Sequence, residues 1–133
     1  MDRSLLIVED EIVQREAIVR WFTRAGYRIV SVGHPRRALQ AASFQQFDVA
    51  ILDLSLPEID GIELMRQLKR RQEAAQFIIL SGYEYPLSHA KENGAYTCLV
   101  KPCNLAHLET IVDGACEKAM AESPRVEAAA TVQ

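Results

Sequence analysis

The sequence has no long apolar run, no dense block of one charge, and few cysteines or aromatic residues. LLIV (5–8), VAIL (49–52) and FIIL (77–80) are its longest apolar stretches, far short of the eighteen or so residues of a membrane span. The opening MDRSLLIVEDE lacks a secretory pattern. The net charge is only -3, and the densest basic run, Lys69-Arg70-Arg71, falls where a helix is expected to end. A helix C-terminus favours cations, so this run gives no nucleic-acid face. The three cysteines, Cys98, Cys103 and Cys116, are odd in number and fit no zinc spacing. They read as small buried hydrophobes in a reduced compartment, and the expectation is a soluble cytoplasmic protein with no membrane or nucleic-acid contact of its own.

What is present is enough for one core. About half of the 133 residues, 49%, are apolar, which suits a single compact domain. The apolar runs LLIV, VAIL, FIIL and CLV (98–100), with a weaker RIVSV (28–32), do not alternate with polar residues. Strands buried on both faces look like this, which points to a parallel sheet covered by helices. Helical patterns lie between them. Residues 11–25 put Ile12, Ala17, Ile18, Trp21, Phe22 and Ala25 near one side, with Gly26 as a stop, and Trp21 reads as core. Pro35 opens a second helix. A third runs over 62–71, with Ile62, Leu64, Met65 and Leu68 available to pack. A fourth, short one lies between Pro86 and Asn93-Gly94. A fifth starts near Asn104 and carries Leu105, Leu108, Ile111, Val112 and Ala115. The order is βα five times, an α/β doubly wound domain over 1–121. Residues 122–133 hold a Ser-Pro break and then small residues, and read as a tail or linker stub.

Each strong strand is followed by a polar residue: Glu9 and Asp10, Asp53, Ser81 and Lys101. Open α/β sheets bind ligands outside the carboxyl ends of their strands, so five polar side chains from four segments are expected at one edge. Three carboxylates brought together repel. Two charges about 4 Å apart interact with roughly 4 kcal/mol at an effective dielectric near 20. A divalent cation relieves this, and oxygen ligands favour magnesium or calcium over zinc. With Lys101 and the Ser81 hydroxyl the set suits phosphoryl transfer to a carboxylate. Asp53 is the best acceptor, because it stands alone at its strand end, while the adjacent Glu9 and Asp10 suit metal holding.

The sequence resembles the receiver domain of two-component response regulators. The residues that carry the resemblance are Glu9-Asp10 in LLIVEDE, Asp53 with Pro57 and Gly61 in DLSLPEIDG, Ser81-Gly82 in IILSG, and Lys101-Pro102 in LVKP. They cover roughly residues 3–121. The resemblance implies a flavodoxin-like (βα)5 fold with strand order 2-1-3-4-5. It implies that Asp53 takes a phosphoryl group from a phosphohistidine on a sensor histidine kinase or histidine phosphotransfer protein, and loses it slowly by hydrolysis. Glu9, Asp10, Asp53 and the backbone carbonyl of Ser55 would place Mg2+ or Mn2+. Ser81 and Lys101 would bond the phosphoryl oxygens, and Pro57, Gly61 and Pro102 would shape the loops. Phosphorylation would pull Ser81 inward and reshape the fourth helix, fifth strand and fifth helix, a surface for an output domain, a target or a second copy of the chain.

The chain departs from the family pattern at Cys98, where an aromatic that swings with the hydroxyl is usual, and again at Cys103. Tyr96 is not an evident replacement, and Tyr83, two residues after Ser81, is a candidate cover for the site. Blander roles compete residue by residue. Glu9-Asp10 suits a helix N-terminus, Asp53 and Ser81-Gly82 suit turns, and Lys101 suits a solvated strand end. His34, His89 and His107 are read as solvated or capping. Three other functions compete. An Asp-nucleophile phosphatase of the haloacid-dehalogenase kind needs a second Asp two residues after the first, where this chain has Ser55. A flavin-binding protein needs a Ser/Thr/Gly-rich loop where this chain has Glu9-Asp10-Glu11. A binding module that works without phosphorylation would not need the full acceptor set.

Overall fold

The computed structural model describes residues 2–123. Five strands alternate with five helices: β1 (Ser4–Val8), α1 (Ile12–Arg24), β2 (Arg28–Val32), α2 (Pro35–Ala42), β3 (Val49–Asp53), α3 (Gly61–Lys69), β4 (Gln76–Ser81), α4 (Leu87–Glu92), β5 (Thr97–Val100) and α5 (Leu105–Glu122). The strands form one parallel sheet in the order β2-β1-β3-β4-β5. This is the doubly wound arrangement that the sequence leads one to expect.

The sheet divides the core in two. Leu6, Val8, Ala50, Leu52, Phe77 and Ile79 pack against α2, α3 and α4, whose buried side chains include Ala38, Met65, Leu68 and Ala90. Leu5, Ile7, Val49, Ile51, Ile78 and Leu80 pack against Ile18 and Phe22 of α1 and Leu108, Val112 and Cys116 of α5. Adjacent residues of one strand point to opposite faces, so LLIV and VAIL must be apolar throughout. β2 is an edge strand and only partly buried, which accounts for its weaker apolar signal.

The helix ends follow local chemistry. Glu11 caps α1 by accepting from the N–H groups of Val13 and Gln14, and Gly26, at φ +93°, takes the left-handed turn that follows it. His34 caps α2 through Nδ1 and Asn104 caps α5, so His34 has the capping role allowed for it. Lys69 and Arg70 do sit at the end of α3.

Two readings of the sequence need correction. Ile12 does not join the packed side of α1: it is 54% exposed and Val13 is 68% exposed. Ile12 is the first residue of the helix, and the apolar face starts only with Ile18 and Phe22. The expected boundary at 121 is also early, because α5 runs through Glu122 and Ser123 is buried. The rest of the expected tail, 124–133, lies outside the described residues. Of the cysteines, Cys116 is buried while Cys98 and Cys103 are half-buried, and all three are free thiols.

Candidate functional site

β1 and β3 are neighbours in the sheet, yet the chain leaves β1 towards β2 on the other side. The carboxyl ends of β1 and β3 therefore frame the place where the strand order reverses, the usual ligand crevice of such sheets. Glu9 and Asp10 follow β1, and Asp53 is the last residue of β3. Their carboxylates converge, each offering an oxygen within 4.8 Å of the others. Glu9 and Asp53 are buried, at 2% and 4% exposure, while Asp10 is exposed.

Among the described residues, one ammonium reaches the carboxylates of this cluster. Lys101 follows β5, two strands away from β3 and three from β1, and its long side chain spans the distance. Its Nζ lies 2.8 Å from Glu9 Oε1 and 3.2 Å from Asp53 Oδ1, and it also donates to Gln14 Oε1 at 3.0 Å. Burial alone would lower the Lys101 pKa. The hydrogen bond to Glu9 and the charges of Asp53 and Glu9 outweigh it and hold the ammonium above its ordinary value. Lys101 is thus fixed as a positive charge at any ordinary pH.

The backbone holds these groups in place. The ladder continues past the strand ends: Glu9 N–H donates to Val32 O, Leu54 N–H to Leu80 O, and Lys101 N–H to Ser81 O. Arg15 donates to the Glu9 carbonyl at 2.8 Å, and Glu11 N–H to Glu9 Oε2 at 3.1 Å. Gly61 donates to Leu54 O at 2.8 Å, and a Cβ at this position would lie 2.4 Å from the Asp53 carbonyl oxygen. Only glycine lets α3 start this close to the end of β3. Ser55 N–H donates to Asp53 Oδ1 at 3.3 Å, which folds the loop over the carboxylate. Pro57 lies in that loop and Pro102 follows Lys101 through a cis peptide bond.

Glu9, Asp10, Asp53 and Lys101 therefore meet as expected, while Ser81 is placed differently. It ends β4 and is fully buried, but its hydroxyl donates to the Tyr83 carbonyl at 2.5 Å and accepts from the Tyr83 N–H at 3.2 Å. Tyr83 meets Ser81 through its backbone, and its side chain is 57% exposed. Cys98 is half-buried beside the α2–α3–α4 half of the core, and burial raises its thiol pKa. Tyr96 packs on the opposite face with α5. Sequence reasoning missed Gln14 and Arg15, which carry no motif and matter only because α1 brings them over Glu9. It also took Glu11 as part of the acidic run, whereas Glu11 caps α1.

Three carboxylates against one ammonium leave an excess of negative charge in a half-enclosed place. The donors are all hard oxygens, so the set fits a magnesium-like cation better than a soft one.

The model of the response regulator receiver domain matches residues 5–113. The chain belongs to this family. Receiver domains are phosphoacceptors of two-component signalling that bind Mg2+ at an acidic pocket and work with histidine kinases and output domains. The receiver is 36% identical over 111 residues to the transcriptional activator protein PfeR of Pseudomonas aeruginosa, covering 82% of this chain but 36% of PfeR. It therefore spans about a third of that relative. It is 28% identical over 114 residues to the sporulation initiation phosphotransferase F of Bacillus subtilis, covering 84% of this chain and 92% of that protein. Among solved structures, a CheY-like receiver domain from Methanospirillum hungatei JF-1 superposes with a TM-score of 0.86 at 20% identity, over 92% of this chain and all of that one. A response regulator protein from Burkholderia pseudomallei, solved with a phosphorylated aspartic acid, a calcium ion and citrate, gives 0.79 at 26% identity over 91% and 72% of the two chains. The described part of the receiver has no helix long and apolar enough to cross a membrane.

Proposed function

We propose that Asp53 is the phosphoacceptor of this receiver. The observation that carries the reading is the convergence of Glu9, Asp10 and Asp53 within 4.8 Å, with the Lys101 ammonium 3.2 Å from Asp53. An Asp53 carboxylate oxygen attacks the phosphorus of a phosphohistidine on a sensor kinase or histidine phosphotransfer protein. A P–O bond forms, the P–N bond breaks, and the electron pair leaves with the imidazole. Glu9, Asp10, Asp53 and the Ser55 carbonyl are the proposed holders of Mg2+ or Mn2+, which when bound offsets charge on the phosphoryl oxygens. Lys101 releases Glu9 in part and bonds a phosphoryl oxygen, and Ser81 supplies a hydroxyl once it leaves Tyr83. Tyr83, whose backbone holds the Ser81 hydroxyl, is the proposed cover that slows the entry of water, so that autodephosphorylation is slow.

The phosphorylated form acts through the surface of α4, β5 and α5, on an output domain, a target or a second copy, in the cytoplasm. The chain spans about a third of PfeR and 92% of the sporulation phosphotransferase, so it matches both a relative with a further part and one of about receiver length. The half-buried Cys98 in place of an aromatic favours one rival, a receiver fold that binds partners without phosphorylation.

Incubation with Mg2+ and acetyl phosphate, followed by intact mass measurement, tests the proposal. The expected result is one added phosphate that Asp53→Asn abolishes. No gain, or a gain that persists in Asp53→Asn, would overturn it and leave the binding module.

A further inference from the structure

Ser81 is held by both of its hydrogen-bonding functions. Its hydroxyl donates to Tyr83 O at 2.5 Å and accepts from Tyr83 N–H at 3.2 Å. This is a local side-chain turn that closes the start of the 82–86 loop. A buried hydroxyl cannot leave such partners without another acceptor. A phosphoryl group on the neighbouring strand end offers one, with a charge that makes the new bond stronger.

The same loop carries Tyr85. Its ring is partly buried against the α2–α3–α4 half of the core, the half that also holds Cys98 of β5 and Leu56 and Ile59 of the β3–α3 loop. Burial, then the nearby Asp60 carboxylate, raise its phenol pKa, and the Cys98 thiol is among the groups that act on it. The ring also meets His89 of α4, with centroids 5.6 Å apart and planes at 57°. α4 itself is weakly held. It has six residues, its start at Pro86 has no side-chain cap, and Ala90 is its buried residue. A helix this short gains its order from what it packs on.

We infer that Ser81 and the Tyr83 backbone form the resting latch of the 82–86 loop, and that Tyr85, packed on the same half of the core as Cys98, transmits release of that latch to α4 through His89. The small Cys98 side chain leaves the contact with α4 to an aromatic of the preceding loop instead of one on β5. Tyr85 is a positioning residue, since it does not touch Asp53 or the phosphoryl group. The inference rests on Asp53 being the acceptor.

Hydrogen exchange over 82–93, with and without Mg2+ and acetyl phosphate, tests it, with intact mass read on the same samples. In the wild type, exchange over 83–92 rises severalfold on phosphorylation. Ser81→Ala raises exchange over 83–86 already at rest. Tyr85→Ala accepts phosphate at the wild-type rate, but exchange over 87–92 no longer responds. Tyr85→Phe restores the response, because the ring and not the hydroxyl meets His89. A full phosphate gain in the wild type with unchanged exchange over 83–92, or a full α4 response in Tyr85→Ala, overturns the latch and leaves the acceptor reading intact. The absence of any phosphate gain overturns the acceptor reading itself, and the inference with it.

Discussion

Strand β3 is bracketed by two buried aspartates, Asp48 just before it and Asp53 at its end, exposed by 2% and 4%. They are five positions apart and do opposite things. Asp48 Oδ2 accepts from Ser4 N–H at 2.9 Å and from Ser4 Oγ at 3.3 Å, while the Gln72 side chain nearby bonds Phe47 N–H and the carbonyls of Ala42 and Gln45. These bonds to Ser4 and from Gln72 pin the amino end of β3 to β1 and to the end of α3. Asp53 meets two other carboxylates and one lysine. A buried polar group satisfied by its own fold stabilises that fold. A group left among like charges stores repulsion that a cation or a phosphoryl transfer relieves. The amino end of the sheet is built to hold, and the carboxyl end gathers like charges around the proposed acceptor.

Substitutions at the two aspartates give the sharpest break in this comparison. Asp53→Asn abolishes phosphate uptake and weakens thermal stabilisation by Mg2+. Without metal it raises stability by about 1 kcal/mol, since one of three crowded charges is gone. A lower melting temperature without metal would show that Lys101 outweighs the repulsion. Next in size, Gly61→Ala drives a Cβ to 2.4 Å from the Asp53 carbonyl oxygen. It should cost about 3 kcal/mol in urea unfolding and slow phosphorylation, because the backbone of the acceptor must move. Asp48→Ala should cost about 2 to 3 kcal/mol, leaving a buried Ser4 N–H without its acceptor, while the folded fraction takes phosphate at the wild-type rate. Equal loss of phosphorylation in Asp48→Ala would erase the distinction between the ends.

The smallest effect is on pH. At the amino end of the sheet, burial pushes the Cys116 thiol up to about 11, with the Asp48 carboxylate adding to the shift. Its folded pKa lies above the unfolded one, so the folded state binds more protons between about pH 8.5 and 11, and stability falls as pH rises through that window. The loss reaches about 3 kcal/mol at the upper end, and Cys116→Ala should flatten it in alkaline melting curves. The Lys101 pKa is raised as well, so its contribution is complete below the ordinary lysine value and is lost only above it. Alkaline weakening should therefore begin at the amino end.

How much of this was legible from the residues depends on the distance over which each feature is specified. The strands are readable because both faces of a covered sheet need apolar residues, so LLIV, VAIL and FIIL are unmistakable. Four of the five polar strand-end residues meet, as the rule for open sheets requires. Ser81 was located but its hydroxyl direction was not, because the competing Tyr83 carbonyl is a matter of loop conformation. The amino-end partners left no sign at all. Ser4 and Asp48 are 44 positions apart. Arg3 and Asp113, 3.0 Å apart with the Tyr27 hydroxyl 2.6 Å from the same Asp113 oxygen, are 110 apart. No periodicity or capping rule links such positions.

The sequence by itself determined the βα alternation, the parallel sheet and which polar residues stand at the strand ends, since strand burial and the strand-end position of a charge are local properties. Only the tertiary structure decided that Gln14 and Glu9 share Lys101, that Asp48 is bonded to Ser4 where Asp53 meets two carboxylates and a lysine, that Ser81 is turned onto Tyr83, and that Tyr85 packs on the same half of the core as Cys98. Those outcomes depend on which distant side chains reach the same few ångströms, and packing of the whole chain sets that.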